Sequence, residues 1–259
     1  MKPKIEELSY PDFVAFIRQQ NQPPALEKTI NFWMELGQIE AKSCLLDLAC
    51  STGFSSRVLQ KMTSCTTYGI DLSEKAIIAA KELSINDNLL IEKLKFIVAD
   101  AVKLPFSSHF FTHVIAGSNF GFIDAREVAL KETHRVLQKG GKLCISNFFY
   151  TAVPPTPLLV EVQNCIGYLP DQARNLNYWQ NFYSKYFSTI DSVLTEQNVL
   201  SGKILEKLVE DEIYGNKQLV LSQEDQSIAF KRLLQTRIVL NEHRKYQKIL
   251  IAVLEKRNG

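Results

Sequence analysis

The sequence lacks the features that mark several classes of protein. Its five cysteines include no C-x-x-C pair, which argues against a zinc site and a disulfide framework. No segment approaches the roughly 18 consecutive apolar residues of a membrane span, and the charged N-terminal segment does not resemble a secretory signal. The 30 basic and 28 acidic residues nearly balance, so no general attraction to nucleic acid or acidic membranes is expected. We therefore expect a cytoplasmic protein with reduced thiols, no metal, no nucleic-acid partner and no membrane insertion.

Two common nucleotide-binding motifs are also missing. Neither the P-loop pattern G-x-x-x-x-G-K-[ST] nor the dinucleotide fingerprint G-x-G-x-x-G occurs. The small-residue turn that follows the first predicted strand holds a single glycine, Gly53. A nicotinamide- or flavin-dependent oxidoreductase is therefore the weaker hypothesis.

Strand and helix patterns alternate through the middle of the 259-residue chain. Short, nearly continuous apolar runs such as 44–49 are typical of strands buried on both faces of a parallel sheet. The predicted strands are 44–49, 66–70, 94–99, 113–117 and 142–146, and the predicted helices between them are 55–61, 73–84 and 124–138. This alternation predicts an α/β fold with right-handed crossovers.

The flanking segments follow other patterns. Two helices are predicted before the first strand, over 5–20 and 25–39. Segment 150–187 holds three closely spaced prolines and many aromatic residues, and we interpret it as a mainly helical insertion. Beyond it we expect a helix over 189–196, an extended segment over 204–214, a long helix over 222–242 and a final strand over 248–254.

Three consecutive predicted strands end in an aspartate: Asp47, Asp71 and Asp100. Ligands of open α/β sheets bind beyond the carboxyl ends of the strands, so these acids are expected to face one ligand. An acid about 20 residues beyond a small-residue loop suits the hydroxyls of a ribose. Aspartate is also common at strand ends for structural reasons, but that explanation is much weaker for all three positions together.

Four segments carry a resemblance to a known family. LLDLACSTGF, YGIDLSEKAI, FIVADAVKLPF and LKETHRVLQKGGKLCIS are similar, in order and spacing, to the motifs of class I S-adenosylmethionine-dependent methyltransferases. The arrangement most resembles small-molecule enzymes of the ubiquinone/menaquinone-methyltransferase type. The resemblance covers about residues 43–147. It implies a Rossmann-like, seven-stranded, mostly parallel sheet with helices on both faces, in the order 3-2-1-4-5-7-6 with strand seven antiparallel.

The resemblance also implies a cofactor, S-adenosylmethionine, and roles for individual residues. The methionine end of the cofactor would be lined by Asp47, Ala49, Cys50, Ser51 and Gly53. Asp71 would bind the ribose hydroxyls and Leu72 would lie against the adenine. Asp100, with Ala101 beside it, would accept a hydrogen bond from the adenine amino group, and Ser118 would face the sulfonium.

Two departures from the family pattern stand out. The loop usually has glycines where Ala49 and Ser51 stand, and we expect the added bulk to be tolerated if φ stays negative. Thr112 replaces the usual acid before the fourth strand. That acid generally has a structural task, so methyl transfer remains possible without it.

The acceptor is expected to bind between the loop after the fourth strand, the end of the fifth strand and the aromatic insertion. The candidate substrate-binding residues are Asn119, Tyr150, Tyr178, Trp179 and Tyr183. An equally weighted alternative is that the aromatic residues form the insertion's own core. None of the four histidines is expected at the carboxyl edge of the sheet, and no catalytic residue is assigned.

With the resemblance, the chain divides into four parts. These are an N-terminal helical lid (1–40), the S-adenosylmethionine-binding Rossmann-like core (41–149), a helical substrate-binding insertion (150–187) and the C-terminal part of the core sheet (188–259). The predicted function is methyl transfer to a small aromatic or hydrophobic acceptor. The alternatives are a non-catalytic or differently acting S-adenosylmethionine-binding protein and, less favoured, a dinucleotide-dependent oxidoreductase. The sequence leaves the oligomeric state open.

Overall fold

The computed structural model describes residues 4–87, 89 and 91–257. Its strands are β1 (Cys44–Leu48), β2 (Thr66–Asp71), β3 (Leu94–Val98), β4 (Phe111–Gly117), β5 (Leu137–Tyr150), β6 (Phe187–Glu196) and β7 (Gln247–Lys256). They form one sheet in the order β3-β2-β1-β4-β5-β7-β6. Strands β1 to β5 pair in parallel, and β7 runs antiparallel to β5 and β6. The predicted fold class, strand order and antiparallel last strand are confirmed.

Helices cover both faces of this sheet and extend beyond it. They are α1 (Tyr10–Phe16), α2 (Leu26–Gly37), α3 (Phe54–Thr63), α4 (Glu74–Asn86), α5 (Arg126–Val136), α6 (Thr156–Ile166), α7 (Leu176–Ser184), α8 (Gly202–Ile213) and α9 (Gln223–Arg244). Within the ranges that the structure describes, no helix is both long and apolar enough to span a membrane.

The central strand β1 shows why the sheet is buried on both faces. Successive side chains of a strand point to opposite faces. Leu46 and Leu48 pack with residues of α5 and α7, whereas Leu45 packs on the other face with residues of α2 and α3. All three leucines are fully buried. The apolar run recognised in the sequence therefore supplies two separate cores.

A third apolar cluster lies outside the sheet. It joins the N-terminal segment to α8 and α9 through Ile5, Phe13, Val209, Ile213 and Leu233. The Arg232 guanidinium of α9 donates to the backbone carbonyl of Leu8 at 2.7 Å and stacks over the Phe13 ring. The N-terminal segment and the two C-terminal helices are thus packed as one unit.

Three predictions for the flanking segments are wrong in whole or in part. Segment 189–196 is part of the edge strand β6 and not a helix, because its backbone pairs with β7. Segment 204–214 forms α8 and is not extended, since Leu205, Val209 and Ile213 recur at helical spacing on its buried side. The first predicted helix is shorter than 5–20, because Ser9 caps a new helix with a proline in its first turn.

Candidate functional site

The sheet order brings the three aspartates to one edge. In the parallel registers, Asp47 of β1 lies beside Gly69 of β2, and Asp71 lies beside Val98 at the end of β3. Asp100 follows β3 by two residues. Because β3, β2 and β1 are neighbours, the carboxyl ends that carry these acids form a continuous rim.

Asp47 is the most deeply buried of the three acids. One oxygen of its carboxylate accepts hydrogen bonds from the Ser56 hydroxyl at 2.7 Å and the Ser56 backbone amide at 3.2 Å. Burial raises the pKa of Asp47 to about 7, although these two hydrogen bonds lower it. A negative charge here is costly without a cation nearby, so this carboxyl suits the ammonium group of a bound ligand. The role of Ser56 was missed in the sequence, where it stands within a predicted helix.

Asp71 connects the two loops that frame the rim. Its carboxylate accepts from the backbone amides of Ser51 at 2.8 Å and Ser73 at 2.9 Å. Burial raises the pKa of this carboxyl, and the amide hydrogen bonds oppose the rise. Ser73 in turn caps α4, as expected from the sequence. The next side chain, Leu72, is 70% exposed, which leaves an apolar surface beside the acid.

Asp100 organises the turn that follows β3. Its carboxylate accepts from the backbone amide of Val102 at 3.0 Å, and Ala101 between them is buried. The third acid is therefore held at the same rim as the other two.

The loop after β1 is built from left-handed backbone conformations. The φ angles are +51° at Ala49, +51° at Ser51 and +74° at Gly53, and Ser118 after β4 has +68°. The expectation of negative φ at Ala49 and Ser51 is wrong, because the tight strand-to-helix turn requires the left-handed region there. A side chain at Gly53 would also place its Cβ 2.6 Å from the Phe96 ring. Such strain in non-glycine residues costs of order 1–3 kcal/mol each and clusters at ligand sites.

Segment 19–24 packs across this loop. The Thr52 hydroxyl donates to the backbone carbonyl of Gln19 at 2.7 Å, and Pro23 lies against Gly117 at the end of β4. The Gln19 side-chain oxygen is buried and accepts no hydrogen bond from the residues that the structure describes. It is a candidate ligand contact that periodicity could not indicate, because it depends on the chain crossing the sheet edge.

The structure explains the departure at Thr112 and gives the candidate acceptor residue Asn119 a contact within the protein. The Thr112 hydroxyl donates to the Cys44 carbonyl at 3.0 Å and accepts from the Cys44 amide at 2.9 Å, so it links β4 to β1 without an acid. The Asn119 amide, predicted to contact the acceptor, donates to the Ala49 carbonyl at 3.3 Å. Asn119 thus joins the loop after β4 to the loop after β1.

The predicted acceptor-binding aromatic residues differ in their surroundings. Trp179 donates from Nε1 to the Phe148 carbonyl at 2.9 Å, and the Tyr183 hydroxyl donates to Asn147 Oδ1 at 2.6 Å. Both side chains are buried in the main core of the sheet and not in a separate core of the insertion. Tyr178 is half-buried and its hydroxyl accepts from Arg126.

Tyr150 lies at the end of β5 in contact with a histidine. Its hydroxyl and His243 Nε2 are 2.7 Å apart in a buried pair. Burial lowers the pKa of His243 to about 4, so its imidazole is neutral near pH 7. The expectation that no histidine lies at the carboxyl edge is wrong for His243, because the end of α9 reaches back over β5.

The rim can hold a ligand with an ammonium group, a ribose and a flat apolar base. Asp47, Asp71 and Asp100 supply acceptors in that order along the edge, and Leu72 supplies an exposed apolar contact. Three hydrogen-bond-accepting carboxylates therefore lie within two residues of the ends of neighbouring strands, which fits an adenosine linked to an amino acid. The residues present therefore fit S-adenosylmethionine.

Comparisons with known proteins show which sequences and folds are similar to this chain. A family model described as a methyltransferase domain matches residues 46–145. The solved structure titled "Crystal structure of MccD protein" is 38% identical to this chain, with a TM-score of 0.77. That similarity covers 92% of this chain and 100% of the other.

Two further proteins are similar over different extents. A demethylmenaquinone methyltransferase of Staphylococcus aureus is 32% identical over 120 residues, which is 45% of this chain and 46% of that protein. The phosphoethanolamine N-methyltransferase 2 of Haemonchus contortus, solved in complex with S-adenosyl-L-methionine, has a TM-score of 0.69 and 17% identity. The similarity covers 97% of this chain and 60% of the Haemonchus chain. At 17% identity it shows a shared fold and nothing further.

Proposed function

The chain belongs to the class I S-adenosylmethionine-dependent methyltransferases, and from this we propose that it methylates a small aromatic or hydrophobic acceptor of natural-product or quinone type. S-Adenosylmethionine is its cofactor, and S-adenosylhomocysteine is the by-product of methyl transfer. The row of three acids along the ends of β1, β2 and β3 supports use of the cofactor.

The roles of individual cofactor-binding residues follow from that row. We assign the methionine end to Asp47, Ala49, Cys50, Ser51 and Gly53, the ribose and adenine to Asp71, Leu72, Asp100 and Ala101, and the sulfonium end to Ser118. The burial of Asp47 and the exposed Leu72 beside Asp71 support this assignment.

Aromatic side chains near the carboxyl ends of β4 and β5 support the proposed acceptor class. The loop after β4 and helix α7 supply the exposed Phe122 and the half-buried Tyr178, which favour an aromatic or apolar molecule. The 32% identity to a demethylmenaquinone methyltransferase over 120 residues is consistent with a quinone-like acceptor. We retain Asn119, Tyr150, Tyr178, Trp179 and Tyr183 as acceptor-side residues, with Trp179 and Tyr183 supporting the pocket from the core.

Catalysis in this proposal depends mainly on positioning. The cofactor supplies a methyl group on a sulfonium, whose departure leaves a neutral thioether. The protein's residues align the acceptor with that end of the site and exclude water, which lowers the barrier without a dedicated base. His243 is a weak base, because its pKa of about 4 lies far below neutral pH.

A differently acting S-adenosylmethionine-binding protein is the second candidate. It is favoured by the left-handed strain at Ser51, where the family usually has glycine. A sulfonium carries three carbon substituents, so transfer of a group other than methyl would leave a different thioether. The two candidates are therefore separated by their sulfur-containing products.

The test is incubation of the purified protein with S-adenosylmethionine and a panel of phenols, hydroquinones and aromatic acids, followed by mass spectrometry. The proposal expects one acceptor to gain a methyl group together with an equal amount of S-adenosylhomocysteine. Asp71→Ala should abolish both signals, and Asp191→Asn, on the distant edge strand β6, should leave them unchanged. Methylthioadenosine as the coupled product would refute methyl transfer, and tight cofactor binding with neither product would favour a non-catalytic role.

A further inference from the structure

Arg174 lies where the two predicted acceptor-contacting segments meet. It belongs to the connection between α6 and α7 and is only 7% exposed. Its backbone carbonyl accepts from the Tyr150 amide at 3.0 Å, which fixes it over the end of β5. Its Nη1 donates to the carbonyl of Gly121, in the loop after β4. The guanidinium is therefore held at the carboxyl edge, between β4 and β5.

The polar groups of this cluster are incompletely paired. Among the residues that the structure describes, Arg174 Nε and the Tyr168 hydroxyl are buried and have no hydrogen-bond partner. The carboxylate nearest to Arg174 is that of Asp171, at 3.6 Å from Nε, and its side chain is 45% exposed. The two groups form a partly exposed ion pair, but this distance is too long for a hydrogen bond, so the Nε donor stays without a partner among the described residues. A buried guanidinium with a free donor is costly, because arginine stays charged in proteins.

The remaining neighbours do not neutralise the guanidinium. Tyr168 lies beneath it, with the guanidinium carbon 5.4 Å from the ring centroid. The hydroxyl of Tyr150 is bonded to the neutral imidazole of His243. The Tyr168 ring also packs against Phe122, which is 55% exposed and offers an apolar surface. The cluster therefore combines a buried guanidinium whose ion pair with Asp171 is partly exposed, a Tyr168 hydroxyl without a partner among the described residues, and an exposed aromatic surface.

We propose that Arg174 and Tyr168 form an acceptor subsite for an oxyanion, a carboxylate or a phosphate, carried by an otherwise aromatic or apolar molecule. Planar guanidinium donors match the geometry of both groups. The inference rests on the proposed function, because it places the acceptor at this edge. It restricts the proposed acceptors to aromatic or apolar molecules that also carry a carboxylate or a phosphate.

The experiment titrates the protein, saturated with S-adenosylhomocysteine, with inorganic phosphate or acetate at constant ionic strength, using calorimetry. Saturable binding of either anion to the wild type is expected, and the preferred anion indicates which group the acceptor carries. Arg174→Gln should weaken that binding by at least about tenfold, since it removes a charged hydrogen-bond donor. Tyr168→Phe should weaken it by about threefold.

Two variants separate ligand binding from a structural role. Asp171→Asn removes the competing carboxylate, so it should tighten anion binding by about two- to fivefold. Arg135→Gln is the matched control, because Arg135 likewise donates to backbone carbonyls, those of Leu104 and Phe106, but lies just before the start of β5, away from the carboxyl edge. It should leave anion binding unchanged. If Arg174→Gln fails to fold, Arg174→Lys and Tyr168→Phe provide the comparison, with weaker anion binding expected for each.

The inference is overturned if the wild type binds neither anion, or if the Arg174 and Tyr168 variants bind as the wild type does. Its failure is distinguishable from failure of the proposed function. If only the anion subsite is wrong, the protein still binds S-adenosylhomocysteine. A protein that binds phosphate in an Arg174-dependent way but neither binds nor uses the cofactor would instead refute the proposed function.

Discussion

Replacing Asp47 by asparagine is expected to stabilise the cofactor-free protein at high pH. The pKa of the buried carboxyl is about 7 in the fold, against an ordinary value of 3.8. That difference corresponds to about 4 kcal/mol between the two protonation states. Because the folded state holds this proton more tightly than the unfolded state, protonation of Asp47 adds to the free energy of unfolding. This stabilisation is fully present below about pH 4 and is lost as the pH rises through about 7. Asparagine stays neutral at every pH and keeps an oxygen for Ser56.

The assay is urea unfolding followed by tryptophan fluorescence at pH 5 and pH 8. Since asparagine weakens the Ser56 hydrogen bonds by about 1 kcal/mol, we expect Asp47→Asn to raise the free energy of unfolding by about 2–3 kcal/mol at pH 8 and hardly at all at pH 5. Asp191→Asn, at an exposed position, should have no effect at either pH. A variant that is less stable at pH 8, or equally changed at both values, would refute the reasoning.

Three further predictions concern the loop and the core. Ala49→Gly should raise the free energy of unfolding by about 0.5–1 kcal/mol, because glycine relieves the left-handed strain at some cost in chain entropy; urea titration measures it, and a loss of stability would contradict it. Gly53→Ala should lower stability by at least about 1 kcal/mol, since its Cβ would meet the Phe96 ring; an unchanged unfolding midpoint would be inconsistent with the loop geometry. Trp179→Phe should lower the free energy of unfolding by about 1–3 kcal/mol, because it removes the hydrogen bond to the Phe148 carbonyl. Calorimetry should find the affinity for S-adenosylhomocysteine unchanged. A large change in that affinity would place Trp179 nearer the cofactor.

The core of the fold was predictable because its signals are local. Apolar runs such as Leu45–Leu46 and the recurring aspartates at strand ends are visible in the chain itself. The error over α8 was avoidable, since Leu205, Val209 and Ile213 already have helical spacing. The error over β6 was not, because this mostly exposed edge strand is defined by its backbone pairing with β7.

The same difference between local and long-range signals applies to the candidate site. The proposed cofactor side rests on contiguous motifs, although these did not predict the left-handed φ of Ala49 and Ser51. The proposed acceptor side depends on contacts between distant segments. His243 reaches Tyr150 across 93 positions of sequence, and Arg174 reaches Gly121 across 53. No spacing rule places such pairs together, so they required the three-dimensional structure.

The central claim is that the edge formed by the three aspartates holds S-adenosylmethionine. Isothermal titration with S-adenosylhomocysteine tests it most directly, using the wild type and Asp71→Ala, with circular dichroism to verify folding. The account predicts micromolar binding to the wild type, about −8 kcal/mol, and at least about tenfold weaker binding to the variant. No binding of S-adenosylhomocysteine or S-adenosylmethionine to the wild type, or equal binding to a folded Asp71→Ala protein, would contradict it.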